Sequence, residues 1–219
     1  MNRVRAAVLD AAAVLLPVHC SGCGAGDRAV CDACRSLLAP RPHTVRRGGL
    51  DVVAGLEYAG VARRVIAAYK DGGRTDAARA LTPALDAALA GALAGRAREG
   101  IELLVVPPTA SSARARGYRP VDRVLALAGF RPARVLRHVA ARLDQAGLGR
   151  EDRRVNLVGT LEARRPLDGR SFVVVDDILT TGSTLAEAAR AVGSAGGEVI
   201  AGAVIAETPL RHARVEVKW

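Results

Sequence analysis

The chain's 219 residues, half of them hydrophobic, suit one mid-sized domain or a domain with a small appendage, and exclude a chain too polar to bury a core. Aromatic residues make up only 3%, so Ala, Val and Leu must fill that core. The net charge of +10 comes almost entirely from arginine, with Lys70 and Lys218 the only lysines. Part of this basicity reflects an Ala-, Arg- and Gly-rich composition; the rest suits phosphorylated ligands or nucleic acid.

Val4 to Leu16 is an Ala/Leu/Val-rich helical stretch closed by Pro17. Arg3 and Arg5 ahead of an apolar run imitate a signal peptide. Asp10 interrupts that run, no convincing cleavage site follows, and it is too short to cross a bilayer. A helix docking on the module that follows is expected, in a cytoplasmic protein with no membrane insertion.

All four cysteines lie together, at Cys20, Cys23, Cys31 and Cys34. Two Cys-x-x-Cys pairs this close can bring four thiolates around one tetrahedral zinc ion, and Gly22 and Gly24 permit the tight first turn. Two disulfides or plain buried thiols are the alternatives, and a chain without an export signal favours zinc. Such a closed site leaves no position for a substrate, so the zinc is expected to be structural, with residues 1–40 forming the N-terminal helix and zinc module. Residues 41–49, preceded by Pro40, read as a linker, and 50–219 as the main domain.

That domain alternates strands and helices. Leu50 to Tyr58 reads as a strand, and Val61, Val65, Ile66 and Tyr69 recur at helical spacing up to Lys70-Asp71-Gly72-Gly73. Lys70 is placed either to reach a ligand phosphate or to cap its helix. A second helix follows from about Thr75 to Leu93, then a buried parallel strand over Ile101 to Val106. Thr109, Ser111, Ser112, Arg114 and Arg116 come next, in either an anion-holding loop or a solvated basic one. A helix from Pro120 to Ala128 and a strand near Ala133 to Val139 continue the alternation that implies βαβ units. Ala140 to Asn156 is polar, glycine-punctuated and basic, with Arg142, Arg150, Arg153 and Arg154. It reads as a flap able to close over a leaving group, or as an ordinary exposed loop.

The most informative stretch is Ser171 to Leu185. Phe172 to Val175 is apolar at every position, as in a central strand covered on both faces. It ends in Asp176-Asp177, followed by Thr180-Thr181-Gly182-Ser183-Thr184 and a helix over Leu185, Ala188, Ala189 and Val192. Thr184 and Glu187 match a capping box. Backbone amides at the helix start, four hydroxyls and a glycine allowing close approach suit a phosphate monoester. The two carboxylates suit the cis hydroxyls of a ribose, with help toward a magnesium ion. A last strand covers Glu198 to Glu207.

Val173-Val174-Val175-Asp176-Asp177-Ile178-Leu179-Thr180-Thr181-Gly182-Ser183-Thr184 resembles the phosphoribosyl pyrophosphate (PRPP) signature of type I phosphoribosyltransferases. With the cysteine module, Lys70 and its glycines, Arg116-Gly117-Tyr118, and Gln145 followed by Arg153, Arg154 and Asn156, the whole chain resembles the ComF (ComFC-type) family. Val105-Val106-Pro107-Pro108 and Arg119-Pro120 depart from that family's usual Val-Pro-Val-Pro and Asn-Gln. The resemblance implies an α/β, type I phosphoribosyltransferase fold, a mostly parallel sheet flanked by helices, with a small N-terminal helix and zinc knuckle. It implies PRPP bound with magnesium, Asp176 and Asp177 on the ribose, and Thr180, Thr181, Gly182, Ser183 and Thr184 on its 5-phosphate. Lys70, Thr109, Arg114, Arg116, Arg150, Arg153 and Arg154 become candidates for the pyrophosphate side. An association with DNA uptake (competence) or DNA repair follows. Two functions remain: phosphoribosyl transfer to a nitrogen acceptor, or a catalytically silent PRPP sensor that contacts single-stranded DNA or a competence-machinery protein.

Overall fold

The computed structural model describes residues 18–26, 28–97, 99–139 and 158–209. The expected helix over Val4 to Leu16 and the basic stretch from Ala140 to Asn156 lie outside them.

Among the described residues, five strands form the central sheet: β1 (His43–Arg47), β2 (Leu50–Glu57), β3 (Ile101–Val105), β6 (Ser171–Leu179) and β7 (Glu198–Glu207), in the order β1-β2-β7-β6-β3. β2, β7, β6 and β3 run parallel, and only the edge strand β1 is antiparallel, to β2. Residues 41–49 are therefore not a linker: His43 to Arg47 pairs with Ala54 to Leu50 through the Gly48-Gly49 turn. Val45 is the one apolar residue of that strand, which leaves little apolar pattern to read.

The sheet is covered on both faces, as its uninterrupted apolar runs require. On one side α2 (Gly60–Lys70), a 3-10 turn (Thr75–Ala77), α3 (Ala78–Ala92) and α5 (Pro120–Leu127) pack against Val53, Val173, Val175 and Ile205. On the other, α6 (Ser183–Gly193) packs on Phe172, Val174 and Val204. Small side chains dominate: Ala77, Ala84, Ala88, Ala188, Ala203 and Ala206 are completely buried, while Tyr69 and Phe172 are the large aromatics at the centre.

The stretch near Ala133 to Val139 is not another parallel strand. Ala133 makes a single bridge to Leu104, and β4 (Leu136–His138) then pairs antiparallel with β5 (Leu161–Ala163) in a separate two-stranded ribbon. Glu187 anchors that ribbon from α6: its Oε1 accepts the Leu161 amide at 2.9 Å, while Arg190 donates to both its carboxylate oxygens and to the Leu161 carbonyl. Burial opposes ionisation of Glu187, but these donors outweigh it and hold its carboxyl below the usual range. Glu187 thus serves the ribbon instead of capping α6, whose N-cap is Gly182 in the left-handed region.

The cysteine module precedes the sheet. α1 (Asp32–Leu37) follows Cys31, and the loop before it lies against α2 and the turn beyond it: Arg64 of α2 donates through Nε to the Gly22 carbonyl, and Arg74, just before the 3-10 turn, donates to the His19 carbonyl at 2.8 Å. No described helix is long and apolar enough to cross a membrane.

Candidate active site and metal centre

The parallel strands end on one side of the molecule, and residues at those ends line a cleft of about 460 Å³. Tyr58 comes from just beyond β2, Val105 to Pro108 from the end of β3, and Asp176, Asp177, Ile178 and Thr180 from the end of β6. Ligands of open α/β sheets bind outside these carboxyl ends.

β6 continues through the acidic pair to Leu179, with Asp176 in register with Val204 and Ile178 with Ala206. The two carboxylates are therefore strand residues, and both reach the cleft wall. Asp177 falls on the side of Val173 and Val175, where α2 packs, and is 7% exposed. There Lys70 Nζ lies 2.8 Å from its Oδ1 and 2.7 Å from its Oδ2, and Asp177 Oδ1 also accepts the Ile178 amide at 2.8 Å. Lys70, the last residue of α2, thus holds the acid rather than capping its own helix. Asp176 stays at the cleft wall, its Oδ1 accepting the Asp177 amide at 2.8 Å. Burial and the neighbouring Asp177 charge push its carboxyl up to about 7, against the opposing pull of that amide and of Lys70.

Beyond the strand, Thr180 and Thr184 line the cleft, while Thr181 and Ser183 are exposed with their hydroxyls 2.9 Å apart. Gly182 is buried with φ +81°; a Cβ there would stand 2.8 Å from Arg47 Cβ and 3.0 Å from the Gly48 nitrogen. The β1–β2 turn therefore supports the loop from outside. Only glycine lets the chain both reverse there and touch that turn. The first amides of a helix have no backbone carbonyl one turn earlier; that of Ser183 reaches Thr181 Oγ1 at 3.4 Å, and the start of α6 can face an anion.

Across the cleft, the stretch after β3 is ordered as a short helix, α4 (Ala110–Arg116), not a loop. Thr109 is its N-cap and accepts the Ser112 amide at 3.3 Å. Ser112 and Arg116 face the cleft, with Arg116 Nη1 donating to Ser112 Oγ at 2.6 Å and Nη2 to Asp71 Oδ1 at 3.1 Å. Thr109 and Arg114 are exposed and form no part of the cleft wall. Every described peptide bond is trans, including those of this segment. Arg150, Arg153 and Arg154 lie outside the described residues. Tyr58, Arg119 and Asp122 also line the cleft; the place of Tyr58 at the end of an expected strand, and of Arg119 just after Arg116-Gly117-Tyr118, were the available signals, and Asp122 had none.

The four cysteines converge. Their sulfurs all lie within 4.8 Å of one another, and Cys23 Sγ is 3.7 Å from Cys31 Sγ, close to the separation of about 3.8 Å that a tetrahedron of zinc–sulfur bonds near 2.3 Å sets. None is in a disulfide. The Gly22 and Cys31 amides each point at Cys20 Sγ, at 3.3 Å. Burial raises the Cys20 thiol, but backbone amides of Cys31, Cys23 and Gly22 outweigh it and bring it down to about 6. Cys34 is pushed up to about 12 by burial and by the neighbouring sulfurs. Four soft donors crowded in this way fit one zinc ion, whose charge would offset both the crowding and the burial. Gly22 is closed on by Cys34, since a Cβ there would lie 2.6 Å from Cys34 Sγ.

Residues 132–218 match the phosphoribosyl transferase domain. A 41-residue stretch is 61% identical to the adenine phosphoribosyltransferase of Rhodococcus jostii (strain RHA1), and an equal stretch to that of Rhodococcus opacus (strain B4), in each case 19% of this chain. The chain spans 23% of the length of these curated relatives. A mixed α/β architecture with a mostly parallel sheet, a phosphoribosyl transferase domain match over its C-terminal part and a four-cysteine cluster ahead of it are thus the features that place this chain.

Proposed function

We propose that this protein binds PRPP with magnesium and transfers the phosphoribosyl group to a nitrogen acceptor, releasing pyrophosphate. The observation that carries this reading is the end of β6: a cleft-lining acid at Asp176, a second at Asp177 held by Lys70, and a glycine-turned loop opening a helix. The amides and hydroxyls of 180–184 receive the 5-phosphate. Asp176 and Asp177 receive the ribose hydroxyls. Ser112 and Arg116, on the opposite wall, meet the pyrophosphate. Lys70 holds the Asp177 carboxylate in place.

In the transfer, a nitrogen lone pair bonds to the anomeric carbon as the bond to pyrophosphate breaks, and that electron pair leaves with pyrophosphate. The protein's share is placement and charge stabilisation. Arg150, Arg153 and Arg154 are assigned to the departing group. In support, Val139 donates to the Thr160 carbonyl at 2.9 Å, so the ends of the intervening segment meet, and His138 Nε2 lies 2.9 Å from the Pro107 carbonyl on the cleft wall. Asp176 fits a magnesium ion, because burial and the neighbouring Asp177 leave its charge in want of a cation. Bound there, the ion would offset the charge gathering on pyrophosphate. The matched Rhodococcus proteins are adenine phosphoribosyltransferases, which makes a nucleobase nitrogen the first acceptor to test.

A second reading, a PRPP sensor that contacts nucleic acid or a competence partner, draws on the exposed Arg131, Arg134, Arg137, Arg164 and Arg165 around the β4–β5 ribbon. Pyrophosphate release across nucleobase and amine acceptors, with Asp176→Asn/Asp177→Asn as control, separates the two. Turnover that the double variant abolishes establishes transfer. DNA binding that weakens steeply with salt, without turnover, establishes the sensor.

A further inference from the structure

Lys70 is gripped from both sides along the chain. Its predecessor, Tyr69, is 1% exposed, and the Tyr69 carbonyl accepts a hydrogen bond from the Tyr118 hydroxyl. The Tyr69 hydroxyl in turn donates to the Pro120 carbonyl at 2.7 Å, with the two phenol rings tilted at 57° and 5.6 Å apart. Its successor, Asp71, accepts from Arg116 at 3.1 Å. Burial raises both phenols above their ordinary range, so both remain protonated donors.

This latch joins the two walls of the cleft. On one side are Ser112, Arg116 and Pro120; on the other, through Lys70, is Asp177. Tyr118 itself is not among the residues lining the cleft. Lys70 has a long side chain with many rotamers, and it can hold Asp177 only if the backbone at the end of α2 is fixed. The fixing groups belong to the segment that carries Ser112 and Arg116. A ligand ordering either wall therefore orders the same latch, and a second ligand meets a site already set.

We propose that Tyr118 and Tyr69 are positioning residues that couple the walls, so that a pyrophosphate group at Ser112 and Arg116 and a ribose phosphate at Asp176 to Thr184 tighten each other's binding. This rests on the sugar-phosphate reading of the cleft. The coupling is reciprocal by linkage, and either ligand can be the one titrated.

The test is calorimetry with ribose 5-phosphate and inorganic pyrophosphate, in magnesium, each titrated alone and in the presence of the other. In the unaltered protein, each ligand should tighten the other at least about fivefold. Tyr118→Phe keeps the ring and removes the hydroxyl; it should bring that factor close to one while each ligand alone binds within about threefold of the original. Tyr69→Phe breaks the reciprocal bond to Pro120 and should act in the same direction. Independent binding in the unaltered protein, or full coupling in both variants, overturns the proposal. A merely structural role would lower the melting temperature and weaken both ligands alike with the coupling intact, which also overturns it. Should neither ligand bind the unaltered protein, the sugar-phosphate reading itself falls, a result distinct from binding without coupling.

Discussion

Lys70 and Asp177, 107 residues apart, meet with Nζ 2.7 Å from one carboxylate oxygen and 2.8 Å from the other, joining the end of α2 to the end of the central strand β6. The pair is mostly buried, so each partner depends on the other to offset its lost hydration. Lys70→Met leaves the acid without its cation and should destabilise the protein by about 2 kcal/mol in urea unfolding. Adding Asp177→Asn should recover most of that loss while leaving ribose-phosphate binding impaired. A double variant no more stable than Lys70→Met would show that the pair is not what the single variant disrupts.

Asp176 sets a pH dependence of opposite sign to that of a paired acid. Its carboxyl titrates near 7 in the fold, raised from 3.8, so the folded state holds its proton more tightly than the unfolded chain does. The cost of its charge is absent below pH about 4, grows through the interval, and is complete above about 7. Without ligand, Asp176→Asn should therefore raise stability at pH 8 by about 2 kcal/mol, a figure reduced for partial solvent exposure, and leave it nearly unchanged at pH 4. Urea midpoints at the two pH values measure this. An equal effect at both would contradict the assignment.

Gly182 and Gly193 open and close α6, yet only the first should resist substitution. Gly182→Ala forces a side chain into φ +81° and against Arg47 and Gly48; about 2 kcal/mol of stability and most phosphate binding should be lost. Gly193 has open space around a would-be Cβ and an unstrained φ. Gly193→Ala should be neutral or slightly stabilising. Parallel thermal melts of the two variants check the contrast.

For the cysteine cluster, metal analysis of the purified protein should give one zinc per chain. Cys34→Ser, or exhaustive chelation, should lower the melting temperature by about 5–10 °C, because a closed thiolate site stabilises only the folded state. A metal-free protein with an unchanged melting curve would contradict a structural zinc.

Much of this architecture was legible in the residues. Phe172 to Val175 is apolar at each position because helices cover both faces of β6, and the four cysteines announce their convergence by spacing alone. The missed features depend on partners distant in the chain or on elements too short to carry a period. β4 and β5 are three residues each, below the length at which alternation can be recognised. His43 to Arg47 hides its pairing behind Pro40, Pro42 and basic residues, although Gly48-Gly49 ahead of the Leu50 strand was a usable hairpin signal. Thr184 and Glu187 satisfy a capping pattern, but Glu187 is taken by the Leu161 amide and Arg190, which no local pattern foretells. Lys70 could not be assigned without knowing that α2 packs on the Asp177 side of the sheet.

The central claim is that the end of β6 holds a ribose phosphate, and calorimetric titration of PRPP with magnesium tests it most directly. Saturable binding at one site per chain, lost in Asp176→Asn/Asp177→Asn and weakened in Gly182→Ala, is the predicted result. No heat of binding to the folded, zinc-loaded protein, or binding that the double variant retains in full, would contradict it.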